Sequence, residues 1–317
     1  MLAVYLWPVR AYLCRITDDG AGPMGKTQAD TTLDDAERLW LGGEIQQARE
    51  AFRRARLLYH ENGDRMGEAA ALVALGDMDS ETGHFAGARD AYVEARNLYA
   101  RDGDQHDQAG ILVRLGRLAQ REGRPDEARQ CYLSAREMYD SASDLSGLGH
   151  VARRLAAMER DLGRQDRALD LYAEARGLYA RGHDTLGEAG TLKAMAALYR
   201  QLGRLDRAHE CYEQSLELYR ESGDALGEAA AQLGLGHLLT GCGGGAEAIT
   251  ALEKARHLAA AAGHLRGEAD ALLALGRLAG ASDPDRARRD LRHAAGLYTR
   301  LGLSALAAEA EREMGTP

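Results

Sequence analysis

The sequence predicts an all-α protein built from repeated pairs of antiparallel helices. Three observations carry that prediction. Aspartates recur every 40 residues at Asp64, Asp104, Asp144, Asp184 and Asp224, and tyrosines do the same at Tyr59, Tyr99, Tyr139, Tyr179 and Tyr219. Between these markers apolar residues return at three- and four-residue steps, as in Leu72, Leu75, Ala88, Tyr92 and Ala95. That is the period of a helix face. Only 5 of 317 residues are proline, and Ala, Leu, Arg and Glu are abundant, a composition that favours helices. A period this regular marks stacked repeats rather than a pair of globular domains.

The elements follow in chain order. Residues 1–27 form an N-terminal extension expected to be flexible, and residues 28–317 form the repeat array. The opening MLAVYLWPVRAYLC is apolar but too short to cross a bilayer, and it lacks the basic start and small-residue cleavage site of a signal peptide. Met24 is an alternative start, since the repeats begin just after it. The first repeat is degenerate, with Ala36, Ala48, Phe52 and Ala55 at the packing positions. Thr32 and Asp35 stand there where leucine is expected, as suits a terminal unit facing water.

From Asp64 onward each repeat reads as two helices of roughly 14–18 residues. Asp64 is placed to cap the first of them, and Glu68 lies in its first turn, where the helix dipole favours a carboxylate. Gly83 separates the two helices of that repeat. Pro125 and Pro284 open second helices, where the missing N–H costs nothing. GCGGG at 241–245 falls between two helices and reads as a loose turn, a candidate hinge. The last repeat lacks one residue in its turn, and LSALAAEAEREMG after Gly302 reads as a capping helix at about 303–314.

One set of packing residues recurs through the array. It reads Gly76, Ala88, Tyr92, Ala95; then Gly116, Ala128, Tyr132, Ala135; then Ala156, Ala168, Tyr172, Ala175; then Ala196, Ala208, Tyr212, Ser215. Weaker copies are Gly236, Ala248, Leu252, Ala255 and Gly276, Ala287, Leu291, Ala294. Small residues let two helices approach, and the large one fills the gap to the next pair. The pattern resembles the tetratricopeptide repeat. The family's usual unit is shorter than the 40 residues found here. This longer form is similar to the subclass of Pins-type polarity adaptors. The resemblance implies a right-handed α-solenoid superhelix of about seven helix pairs and a cap. It also implies a concave groove lined by first helices, and work as a protein-binding scaffold.

By the same resemblance five positions in each repeat face that groove. They are Gly110, Val113, Arg114, Arg117 and Gln120; then His150, Arg153, Arg154, Ala157 and Arg160; then Gly190, Lys193, Ala194, Ala197 and Arg200. Seven of these fifteen are basic and none is acidic, although composition predicts about two of each. The flanking repeats offer Ala70, Val73, Ala74, Asp77, Ser80 and Ala230, Leu233, Gly234, His237, Thr240, which are mostly small and weakly apolar. Clustered guanidiniums suit carboxylates or phosphates. The expected partner is a protein or peptide with an acidic segment. The expected contacts are Arg114, Arg117, Gln120, His150, Arg153, Arg154, Arg160, Lys193, Arg200, Leu233 and His237. Groove asparagines, used in the family to clamp a ligand backbone, are missing: Asn62 and Asn97 lie elsewhere.

Competing functions rest on less. GAGPMGKT at 20–27 spells the phosphate-binding loop of NTPases and makes a nucleotide-binding regulator the first alternative. Such a loop needs a parallel sheet to hold it, and helical repeats follow Thr27 directly. Nucleic-acid binding through the arginine groove is the second alternative. The net charge of −9 and the lack of groove aromatics argue against it. No nucleophile–base pair or metal motif is present, so neither an enzyme nor a cofactor is expected. Cys14, Cys131, Cys211 and Cys242 form no close pair, in keeping with a cytoplasmic protein without membrane attachment.

Overall fold

The computed structural model describes residues 27–314 apart from 102 and 281. Among the described residues there are fifteen helices and no strand. They are α1 (Gln28–Leu41), α2 (Ile45–Glu61), α3 (Arg65–Glu81), α4 (Phe85–Arg101), α5 (Gln105–Arg121), α6 (Pro125–Ser141), α7 (Leu145–Asp161) and α8 (Gln165–Arg181). Then come α9 (Thr185–Gln201), α10 (Leu205–Glu221), α11 (Ala225–Gly241), α12 (Gly245–Ala261), α13 (Leu265–Ala279), α14 (Pro284–Arg300) and α15 (Ser304–Met314). The architecture is an all-α solenoid of helix pairs closed by α15. The chain divides into two compact units, one ending at Met158 and the other starting at Glu159.

The periodic Asp and Tyr markers act together at each repeat boundary. At the end of α2 the N–H of Asp64 reaches back to the carbonyl of Tyr59 at 2.9 Å. The Asp64 carboxylate then accepts the N–H of Gly67 at 2.9 Å, capping α3. The ring of Tyr59 lies over Gly67 so closely that a Cβ there would sit 2.3 Å from Cδ1. One aspartate therefore closes one helix and opens the next, and one tyrosine fills the junction. Asp104, Asp144, Asp184 and Asp224 cap in the same way.

The chain turns at a residue of positive φ every twentieth position, from Gly43 through Gly263. Glycine supplies that conformation at most of these positions without steric cost. Ser143 (φ 54°) and His183 (φ 55°) adopt it with a side chain. The GCGGG stretch contains the same tight turn, with Gly243 at φ 78° and Gly244 N–H bonded to Leu239 O at 3.0 Å. It is thus an ordinary inter-helix turn rather than a loose one.

Within each unit the helices form two layers. First helices of successive repeats touch: α3 meets α5 in the first unit, and α9 meets α11 and α11 meets α13 in the second. Successive second helices are bridged by long ion pairs instead. Arg56–Glu94 spans α2 to α4 at 3.0 Å, and Arg89–Glu127 spans α4 to α6 at 2.7 Å. The first-helix layer is therefore the tighter face. It is also the more deeply packed one, with Ala69 through Ser80 of α3 buried without a break. The first unit's core centres on Phe52, Tyr59, Tyr92 and Tyr132, and the second unit's on Tyr172, Leu252, Leu272 and Tyr298. Ala307 and Ala310 of α15 seal the C-terminal end.

Candidate functional site

In the first unit the basic candidates lie on α5 and α7. Arg114, Arg117, Gln120, His150, Arg153 and Arg154 are all half-buried. That is the burial of side chains that line a face without filling a core. The fold brings four guanidiniums to bear on one imidazole. Burial, then Arg154, Arg153, Arg114 and Arg117 in that order, hold the pKa of His150 well below the ordinary histidine range. The Nε–H of Arg154 donates to Nε2 of His150 at 3.2 Å, so this imidazole is neutral with its proton on Nδ1.

Two of these candidates also bind neighbouring helices. The Nε–H of Arg114 donates to Asp77 Oδ2 of α3 at 3.3 Å, while Asp77 Oδ1 accepts the hydroxyl of Tyr92 at 2.6 Å. Asp77 is buried, so this contact joins successive repeats. Gln120 accepts the hydroxyl of Tyr132 at 2.5 Å through Oε1 and keeps its amide NH₂ for other partners. The face at α3 is not slick, as its small residues suggest. Ala70, Val73 and Ala74 are buried beneath it, and Asp77 and Glu81 give it charge. Burial first, then the Asp77 charge, raises the pKa of Glu81, against the pull of Arg117 and Arg121.

The second unit holds the remaining candidates. Arg160 is bound to Asp161 through Nε (3.0 Å) and Nη2 (2.8 Å). The Lys193 ammonium lies 5.6 Å from the centroid of the Tyr219 ring, a cation–π contact. Arg200 and His237 are exposed and Leu233 is half-buried. Further along the same layer Arg277 is engaged by Glu309 at 2.5 Å and Glu313 at 2.6 Å, both from α15. Equivalent positions thus carry different partners in different repeats.

GAGPMGKT falls outside the described residues except for its last member. Thr27 is the N-cap of α1. Its Oγ1 accepts the N–H of Asp30 at 3.1 Å, and Asp30 Oδ2 accepts the Thr27 N–H at 2.9 Å, a capping box. No group of metal-ligating side chains occurs among the described residues, and no described helix is long and apolar enough to cross a membrane. Cys131, Cys211 and Cys242 are free thiols.

This architecture matches a known family. A model of the tetratricopeptide repeat matches residues 107–181 and, overlapping them, 149–221. Residues 107–221 are tetratricopeptide repeats, and the helix pairs on either side repeat the same form. No curated protein matches it in sequence. Among solved structures it is similar to BtubC from P. vanneervenii, with 22% identity and a TM-score of 0.54 over 75% of this chain and 93% of that one. It is similar to a Rap protein complexed with Competence and Sporulation Factor, with 13% identity and a TM-score of 0.59 over 90% and 96% of the two chains. It is also similar to yeast Tom70, with 18% identity and a TM-score of 0.60 over 92% of this chain and 65% of that one. At these identities the likeness is one of fold. The fold is, in general, that of protein–protein interaction adaptors, most of them non-catalytic.

Proposed function

We propose that this chain is a cytoplasmic, non-catalytic adaptor that captures an acidic segment of a partner protein on its first-helix layer. The observation that carries the reading is the convergence of Arg114, Arg117, Arg153 and Arg154 around the neutral His150. These four arginines, whose charges all act on His150, make a local positive field on a protein of net charge −9, with Arg114 partly offset by Asp77. Guanidinium forks bind carboxylates in register, and grouped like charges steer an anionic segment toward them. In the second unit the corresponding repeat positions carry Lys193 and Arg200 and, one repeat later, Leu233 and His237. Arg160, already bound to Asp161, contributes less.

The test is a binding titration of a labelled glutamate-rich peptide by fluorescence anisotropy. Wild type is compared with Arg117→Glu/Arg154→Glu. The charge reversal is expected to abolish capture while leaving the helical circular dichroism and the unfolding midpoint in place. Affinity of the wild type should fall steeply with added salt. Equal binding by both proteins removes this face from the function. Binding of ATP or GTP that Lys26→Ala abolishes would support the nucleotide reading instead.

A further inference from the structure

The first-helix layer of the first unit is charge-segregated, and this gives the partner segment a polarity. Exact 40-residue offsets from Ala74 and Asp77 place Asp34 and Glu37 of α1 at the same face positions. Both are half-buried, as Arg114, Arg117, Arg153 and Arg154 are. On α1 and α3 the charged residues of this face are Asp30, Asp34, Glu37, Asp77 and Glu81, with no cation among them. On α5 and on α7 up to Met158 they are Arg114, Arg117, Arg121, Arg153 and Arg154, with no carboxylate among them, while Arg160 and Asp161 at the end of α7 belong to the second unit. The two halves meet where Arg114 donates to Asp77 at 3.3 Å. Next to that seam, Arg121 donates to Ser80 Oγ at 3.3 Å and stacks over Phe85, its guanidinium carbon 5.4 Å from the ring centroid.

A uniformly acidic ligand gains over α5 and α7 but is repelled over α1 and α3. A nucleic acid meets the same repulsion, because its backbone charge has one sign throughout. A segment with basic residues at one end and acidic residues at the other gains along the whole face. Like-charge contact in the reversed direction would oppose it, so the surface selects one orientation.

We infer that the first unit binds a charge-segregated polypeptide segment in one direction, its basic end over α1 and α3 and its acidic end over α5 and α7. This rests on the acidic-segment reading above and sharpens it. Asp30 is partly committed elsewhere, because its Oδ1 accepts the Tyr59 hydroxyl at 2.6 Å and its Oδ2 serves the capping box. The basic end of the segment is assigned to the carboxylates Asp34, Glu37 and Glu81 by their positions on α1 and α3.

The experiment uses the full chain and three probes: a peptide with a lysine block followed by a glutamate block, an all-glutamate peptide, and a single-stranded RNA. The wild type should bind the two-block peptide roughly tenfold more tightly than the all-glutamate one, and the RNA most weakly. Asp34→Lys/Glu81→Lys should reverse that preference. The neutral pair Asp34→Asn/Glu81→Gln, which keeps the side-chain shapes, should erase it without reversing it and guards against misfolding of the lysine variant. All-glutamate peptide bound as tightly as the two-block peptide by the wild type would overturn the polarity and leave the acidic-segment reading standing. Failure of both peptides to bind would overturn both, and tight RNA binding would overturn both in favour of nucleic acid.

Discussion

The Nε–H of Arg154 points at Nε2 of His150 across 3.2 Å, and an imidazole that accepts there carries no charge. Protonation would set a fifth positive group among Arg114, Arg117, Arg153 and Arg154. Burial, followed by these four charges, keeps the folded-state pKa well below the unperturbed 6.5. His264 shifts in the same direction through burial and Arg266, and its Nδ1 caps α13 by accepting the Gly267 N–H at 3.1 Å. For a lowered pKa the unfolded chain takes up the proton first. The stability is complete above about pH 6.5 and is lost as pH falls below that value. The urea midpoint should be flat above neutrality and should decline from about pH 6.5 toward 5, and His150→Asn should flatten much of the decline. A midpoint that does not change over this range contradicts the assignment.

Glycines inside helices have opposite roles at different positions. A Cβ on Gly76 would lie 2.6 Å from Cε1 of Tyr92, and one on Gly116 would lie 2.6 Å from Cε1 of Tyr132. Gly76→Ala and Gly116→Ala should each destabilise by about 1–3 kcal/mol through overpacking. Gly177 of α8 has nothing within 4 Å of its absent Cβ, so Gly177→Ala should stabilise by roughly 0.5–1 kcal/mol. Denaturant unfolding of the three variants reads the signs, and the same sign for all three would defeat this account.

Ser143 and His183 occupy turns where every other described repeat boundary has glycine. A left-handed conformation costs an L-residue roughly 1–2 kcal/mol, and glycine returns about 0.4–1 kcal/mol of that as unfolded-chain entropy. Ser143→Gly and His183→Gly should therefore each gain about 0.5–1 kcal/mol net. Differential scanning calorimetry should show a higher melting temperature for each, with their effects additive because the sites belong to different repeats.

Arg49 and Asp79 form a buried ion pair between α2 and α3, with Arg49 Nε donating to Oδ1 at 2.8 Å and Nη2 set 3.1 Å from His84 Nδ1. Removing one partner strands the other charge, so Arg49→Ala should cost about 3–5 kcal/mol. The double change Arg49→Met/Asp79→Leu should recover most of that loss. The exposed pair Arg207–Glu210 on α10 serves as the comparison, and breaking it should cost under about 1 kcal/mol.

The array was legible in the sequence because its rules are local. The Asp cap acts on an N–H three residues away, the turn glycine acts on its own φ, and the Gly–Tyr packing repeats at fixed spacing. Short-range steric and hydrogen-bond constraints of this kind determined the helix pairs and the capping helix. The tertiary structure alone decided what those arginines do. Arg114 reaches Asp77 from 37 residues away, and Arg277 is occupied by Glu309 and Glu313 while its counterpart Arg117 lies near the neutral His150. Long, charged side chains choose partners across helices, and Coulomb energy depends on the separation and burial that folding creates. The same residue type at the same repeat position therefore becomes a clamp in one repeat and part of a positive field in another.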